Sequence, residues 1–147
     1  MRLALFQPDI PQNLGAAIRL CACLGVALDI IEPCAFPLSD KAIRRAALDY
    51  GGLCEVVRHQ SWSHFSDRRN ERLVLFTTEG AVHLNDFCFQ SNDILVMGRE
   101  RAGAPPEVHA AANARVLIPI RPRARSLNVV TAAAIGLGEA LRQTGGM

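Results

Sequence analysis

Short, continuously apolar runs alternate along this chain with stretches whose apolar positions recur at helical spacing. The strand-like runs fall at Leu3–Phe6, Leu28–Ile31, Cys54–Val57, Leu73–Thr77, Ile94–Met97 and Val116–Ile120. Most lack the in–out alternation of a one-sided sheet, as parallel strands covered on both faces require. Helical patterns lie between most of them. Asn13 can cap a helix over Leu14–Leu24 that stops at Gly25. Ser39 can cap one over Asp40–Leu48, and Ser61 can start one that reaches Arg69. Pro105-Pro106 suits the first turn of a short helix to about Ala112. Ser126 or Leu127 begins the last helix, which runs to about Arg142. The alternation predicts a single α/β domain over residues 1–147, a three-layer sandwich with a mainly parallel sheet of five or six strands.

The last helix is apolar around most of its circumference, from Leu127, Val129 and Val130 through Ile135 to Leu141. Such a helix is buried on more than one side. Its second cover is either the rest of the monomer or another copy of the chain. Small residues at 132, 133, 134, 136 and 138 would let a partner helix come close.

Composition narrows the class. Half of the 147 residues are apolar and a fifth are charged, which excludes disorder and allows a real core. Met1–Phe6 is too short for a secretory apolar region, and the uncharged stretch Ser126–Gly138 falls short of the roughly 20 residues of a membrane span. A cytoplasmic location is expected. The five cysteines are odd in number and irregularly spaced, so thiols rather than disulfide staples are expected. Cys21-x-Cys23 has no second ligand pair, and His59, His64, His83 and His109 are scattered; no metal site is predicted.

The net charge is only +2, yet 15 of the 16 basic residues are arginine, the side chain suited to forked recognition of phosphate. Arg44 and Arg45 have Asp40 and Asp49 at i,i+4 as local partners. Arg68, Arg69 and Arg72 read as a solvated face. Arg99-Arg101 and Arg121-Arg123-Arg125 sit in two loops that open from apolar strands, and there RNA contact is the preferred reading.

Those loops carry the chemistry. Gly98-Arg99-Glu100-Arg101-Ala102-Gly103-Ala104-Pro105 follows one strand, and Arg121-Pro122-Arg123-Ala124-Arg125-Ser126-Leu127-Asn128 follows another. In an open α/β sheet, ligands bind where neighbouring strands end and their loops diverge. Glycine lets backbone approach a ligand, and proline fixes the loop shape.

With Asn13-Leu14-Gly15-Ala16-Ala17-Ile18-Arg19, Gly98-x-Glu100-x-x-Gly103, Ser126-Leu127-Asn128 and the stretch Asp40–Tyr50, the chain resembles the knotted SPOUT RNA methyltransferases. Within them it is most similar to the bacterial tRNA wobble-nucleotide 2′-O-methyltransferases. The resemblance spans nearly the whole chain and implies a C-terminal trefoil knot and a close homodimer whose sites use both subunits. It also implies S-adenosylmethionine as cofactor and the anticodon region of tRNA as partner, the target being a cytidine or modified uridine. Cofactor contacts are expected from Phe76, Gly98, Ile118, Ser126 and Leu127, largely through backbone groups. Arg19, Asn13, Ser126 and Asn128 are the catalytic candidates, and Arg19, Glu100, Arg123 and Arg125 the RNA-binding ones.

Elementary chemistry refines these roles. A guanidinium with a pKa above about 12 is a poor proton acceptor, so Arg19 is read as a clamp on the phosphate beside the target ribose. The proton acceptor is then that phosphate, a water or Ser126. Asn13 and Ser126 have alternative readings as helix caps. Asn128, placed within the first helical turn, has fewer local reasons to be there. Glu100 reads as an anchor rather than a general base. Many relatives carry Pro-Glu-Ser/Thr-Arg-Gly where this chain has Arg99–Gly103, so the loop gains a positive charge near the expected cofactor or RNA path.

Other readings are a 2′-O-methyltransferase for another tRNA or ribosomal RNA position, or a non-catalytic RNA-binding module. Eight aromatics and a small net charge weigh against the module. No Gly-x-Gly-x-x-Gly follows the first strand, which weighs against a nicotinamide enzyme.

Overall fold

The computed structural model describes residues 1–47, 50, 52–67, 69–79 and 82–146, apart from the side chains of residues 46 and 47. Its elements are β1 (Arg2–Phe6), α1 (Pro11–Leu24), β2 (Ala27–Ile31), α2 (Asp40–Ala47), β3 (Val56–His59), α3 (Trp62–Ser66), β4 (Leu73–Phe76), β5 (Val82–His83), β6 (Ile94–Met97), α4 (Pro106–Ala111), β7 (Ala114–Leu117) and α5 (Val129–Thr144). The seven strands form one sheet in the order β3-β2-β1-β6-β4-β7-β5, every pairing parallel. The chain first builds outward from β1 to β3, then crosses back to place β4 and β6 on the other side of β1. The strand order therefore reverses beside β1.

Alternate residues of each central strand feed two separate cores. Leu3, Leu5, Val74, Phe76, Leu95 and Met97 pack beneath α1 and α5. Ala4, Phe6, Leu73, Leu75, Ile94 and Val96 pack on the opposite face with Phe65 of α3 and Val108 of α4. This is why the strands read as unbroken apolar runs: neither face meets water. Gly136 lets α5 lie directly on the sheet, because a Cβ there would stand 2.4 Å from Phe76 Cζ.

One charge is buried in the second face. Asp29 of β2 is 0% exposed and accepts from Arg2 Nε (2.7 Å), His59 Nε2 (2.7 Å) and Arg69 Nη2 (2.8 Å). Arg72 likewise pairs with fully buried Asp93, at 2.7 Å. The solvated face expected of this arginine cluster is thus not formed by Arg69 and Arg72, whose guanidinium groups turn inward to Asp29 in the middle of β2 and to Asp93 just before β6; Arg68 lies outside the described residues.

Several boundaries differ from the sequence reading. α1 starts at Pro11, whose fixed φ and missing N–H suit a first helical position, so Asn13 is inside the helix and is not its cap. Gly25 does close it, at φ 65°. Asn128 is the cap of α5, accepting from Val130 N (2.9 Å) and Thr131 N (3.4 Å), in place of Ser126 or Leu127. Ser39 and Ser61 accept hydrogen bonds from Ala42 N and His64 N as caps should. α3 nevertheless ends at Ser66, and Leu48 at the expected end of α2 is not described. β3 and β7 begin two residues later and earlier than expected, and two-residue β5 adds a seventh strand. No helix among the described residues is long and apolar enough to cross a membrane.

Candidate functional site

Neighbouring strands β6, β4 and β7 end together, at Met97, Phe76 and Leu117. The loops that follow them diverge around a cleft of about 550 Å³, within the range of small-molecule sites. Phe76, Gly98, Ile118, Ser126 and Leu127 line it, as do Asn13, Glu100 and Asn128. Arg19, Arg123 and Arg125 do not. Arg19 is exposed on α1, its guanidinium 5.1 Å from the centre of the Tyr50 ring. Arg123 and Arg125 lie in an exposed run, 121–128, at the mouth of the cleft.

The loop after β6 is stiff. Arg99 and Gly103 exchange two backbone hydrogen bonds, of 3.0 and 2.9 Å, and Gly103 takes φ +68° to close the turn. A Cβ on Gly98 would stand 2.6 Å from both Ala104 N and Gly103 C, so only glycine fits there.

A polar network ties this loop to both ends of the chain. Glu100 Oε2 accepts from Asp9 N at 2.7 Å, and Oε1 accepts from Asn13 Nδ2 at 3.1 Å. Asn13 Oδ1 accepts in turn from Asn128 Nδ2, at 3.1 Å. Residues 13, 100 and 128, one from each of the three motifs, therefore form one hydrogen-bonded chain. Both Glu100 oxygens face internal donors, which makes this carboxylate the anchor of its loop.

Asp9 completes the arrangement. Its side chain is 3% exposed and accepts from Arg99 Nη2 (2.8 Å) and from Arg101 N (3.2 Å). The Arg99 guanidinium holds the Asp9 carboxyl below the usual aspartate range, against the opposing effect of burial, with Arg101 N adding to the pull. The charge that Arg99 adds to the loop is thus met by an anion, so the free positive charge expected there is carried by exposed Arg101 alone. Sequence reading did not single out Asp9. It is about 90 residues from its partners, and only its place just past β1 marked it. Glu79 and His109 also line the cleft without having been anticipated.

Among the described residues, no three His, Cys, Asp or Glu side chains group as a metal site. The walls suit a nucleoside-bearing ligand: Phe76, Ile118, Ile120 and Leu127 supply apolar surface beside the polar backbone of the loops.

The fold and cleft define a class, the SpoU rRNA methylase family: its model matches residues 1–138, and the chain belongs to it. A tRNA (cytidine(34)-2′-O)-methyltransferase from Beijerinckia indica subsp. indica is 55% identical over 99% of this chain and 92% of its own length. A solved structure concerned with the 2-OH methylation of C/U34 on tRNA superposes with a TM-score of 0.90 at 36% identity, covering 99% of this chain and 97% of that one. The SpoU methyltransferase AviRb from Streptomyces viridochromogenes, solved in complex with AdoMet, has a TM-score of 0.84 at 27% identity. That match covers 97% of this chain and 60% of AviRb.

Proposed function

We propose that this chain is a tRNA (cytidine(34)-2′-O)-methyltransferase, moving a methyl group from S-adenosylmethionine to the ribose 2′-hydroxyl of the wobble nucleotide. The observation that carries this reading is the joining of three separate motifs, through Asn13, Glu100 and Asn128, at one cleft with apolar walls. Full-length likeness to a relative of that name supports the choice of RNA.

S-adenosylmethionine, when bound, supplies a methyl group on a sulfonium, a donor already reactive enough for in-line displacement. The protein's part is alignment. Phe76, Ile118 and Leu127 enclose the adenosine portion, and the Gly98 and Ile118 backbone approaches it without intervening side chains. Glu100 keeps the loop in place, with Asn13 and Asn128 as its continuation. Ser126, exposed at the cleft, stands where a hydroxyl can take or relay the ribose proton. Arg123 and Arg125 face the approaching RNA from the same run.

Arg19 is not part of the cleft of its own chain, so its role as a phosphate clamp calls for a second copy. The exposed stripe Ala16, Arg19 and Cys23 on α1, with exposed Ile135 and Leu127 at α5, supports a homodimer in which Arg19 serves the partner's cleft. Ala133 and Gly136 are spent inside the monomer, so the contact is made by the other side of α5. The trefoil knot of the C-terminal third and a cytoplasmic location belong to the same reading.

The test is incubation of the purified protein with labelled S-adenosylmethionine and unmodified tRNA, followed by nucleotide-resolution mapping. A 2′-O-methyl group at the wobble position is the expected product. Incorporation only at another position or only into ribosomal RNA rejects the assignment. Arg19→Ala should keep its fold and lose activity.

A further inference from the structure

We infer that the exposed face of α2 is a second RNA-docking surface, which grips the backbone of the double-stranded stem next to the target nucleotide. This inference rests on the proposed function above. The Asp40 partner that sequence spacing offers to Arg44 is directed elsewhere. Arg58 donates to Asp40 Oδ1 at 3.1 Å, to Glu32 Oε1 at 2.9 Å and to the Leu38 carbonyl at 3.2 Å. This guanidinium fastens the start of α2 to the ends of β2 and β3. Among the described residues, no carboxylate lies within ion-pair distance of Lys41, Arg44 or Arg45, and all three side chains are exposed; Asp49, the partner that spacing offers to Arg45, lies outside the described residues.

The position of this face matters as much as its charge. α2 packs side by side with α1, and Arg19 of α1 lies over Tyr50, just beyond the end of α2. The basic side chains of α2 therefore continue from the residue assigned to the phosphate beside the reacting ribose. Tyr50 is a positioning residue here: it fixes the guanidinium at the seam between the two helices. A nucleotide held at Arg19 brings its flanking stem over α2, whichever copy owns the cleft. Stem RNA of A form offers mainly its phosphates and 2′-hydroxyls, and arginine forks fit phosphate oxygens in pairs. The charge of the whole chain is only +2, so affinity must come from local concentrations of this kind.

The experiment compares the parent with Arg44→Glu/Arg45→Glu in tRNA binding by fluorescence anisotropy over a salt series, with calorimetry for S-adenosylmethionine alongside. The variant should bind tRNA at least about tenfold more weakly. Its log–log salt slope should be shallower by roughly 1–2, as expected for loss of two phosphate contacts. Affinity for S-adenosylmethionine should stay the same. On an RNA trimmed to the anticodon loop without its stem, parent and variant should bind alike. Unchanged tRNA affinity and slope in the variant overturn the inference while leaving the methyltransferase reading intact. A parent that neither binds nor methylates tRNA overturns both. If the charge reversal disturbs folding by circular dichroism, Arg44→Gln/Arg45→Gln replaces it, with a several-fold loss expected and an unchanged affinity again decisive.

Discussion

Two polar networks are built into this sheet, and they use similar groups to opposite ends. Around Asp29, two arginines and a histidine converge on one carboxylate that has no exposure, on the face covered by α3. Around Glu100 and Asp9, the same kinds of pairing tie loops together but stop at the rim of a cleft. The first closes space, so its charge is spent on the fold. The second keeps space open, because its members hold one another by their edges while the cavity lies beside them. A polar cluster is thus informative about function when it borders a void.

Removing the Asp29 carboxylate should have the largest effect on stability. Asp29→Ala strands two largely buried guanidinium groups and the buried His59 ring, and breaking such a set costs roughly 3–5 kcal/mol. Urea denaturation should register that loss, while the fraction still folded binds S-adenosylmethionine normally. A large change in that affinity would erase the distinction between the two networks. Gly98→Ala should do the reverse. Its new methyl group meets backbone at 2.6 Å, so the loop must shift, and calorimetry should show at least about a tenfold weaker affinity. The melting temperature should change far less than in Asp29→Ala.

Asn128→Ala is intermediate in character, since the side chain both caps α5 and donates to Asn13. Loss of the cap costs about 1 kcal/mol in stability. A fall in methyl transfer beyond what that stability loss explains should appear in steady-state kinetics, and Asn128→Asp, which keeps the cap but loses the donor, should keep stability and reproduce the fall. The smallest effect concerns pH. Asp9 titrates below its ordinary value of 3.8 in the folded protein, so its ionised form adds stability that is fully present above that pH. The contribution fades as pH falls through the depressed folded value. The stability gap between parent and Asp9→Asn, from denaturation at pH 7 down to pH 3, should be constant at first and narrow only below about pH 4.

Much of the fold was legible because it depends on local composition. Apolar runs marked six strands, and Gly25, Ser39, Ser61 and Pro105-Pro106 marked the ends of helices. The errors came where a side chain answers to a distant partner. Asn13 looks like a cap in sequence, yet Glu100, 87 residues away, takes its amide. Asn128 looked free of local duties but is the cap, because Ser126 and Leu127 lie outside the helix and α5 begins only at Val129. Arg69 and Arg72 looked solvated because Asp29 and Asp93 are 40 and 21 residues off. For the site, motif spacing indicated which loops meet. It could not indicate Asp9, whose role exists only once β1 and β6 lie side by side.

Phe76 forms part of the cleft wall on one side, and on the other its ring rests against the bare backbone of Gly136. The Phe76 ring is what a side chain at position 136 would meet between α5 and this strand end. A methyl group added at position 136 would therefore displace the ring or lift α5 from the strand end that borders the cleft. The fit of α5 onto the sheet is thus set by a missing side chain, and a change at position 136 would register at the cleft although that residue does not line it.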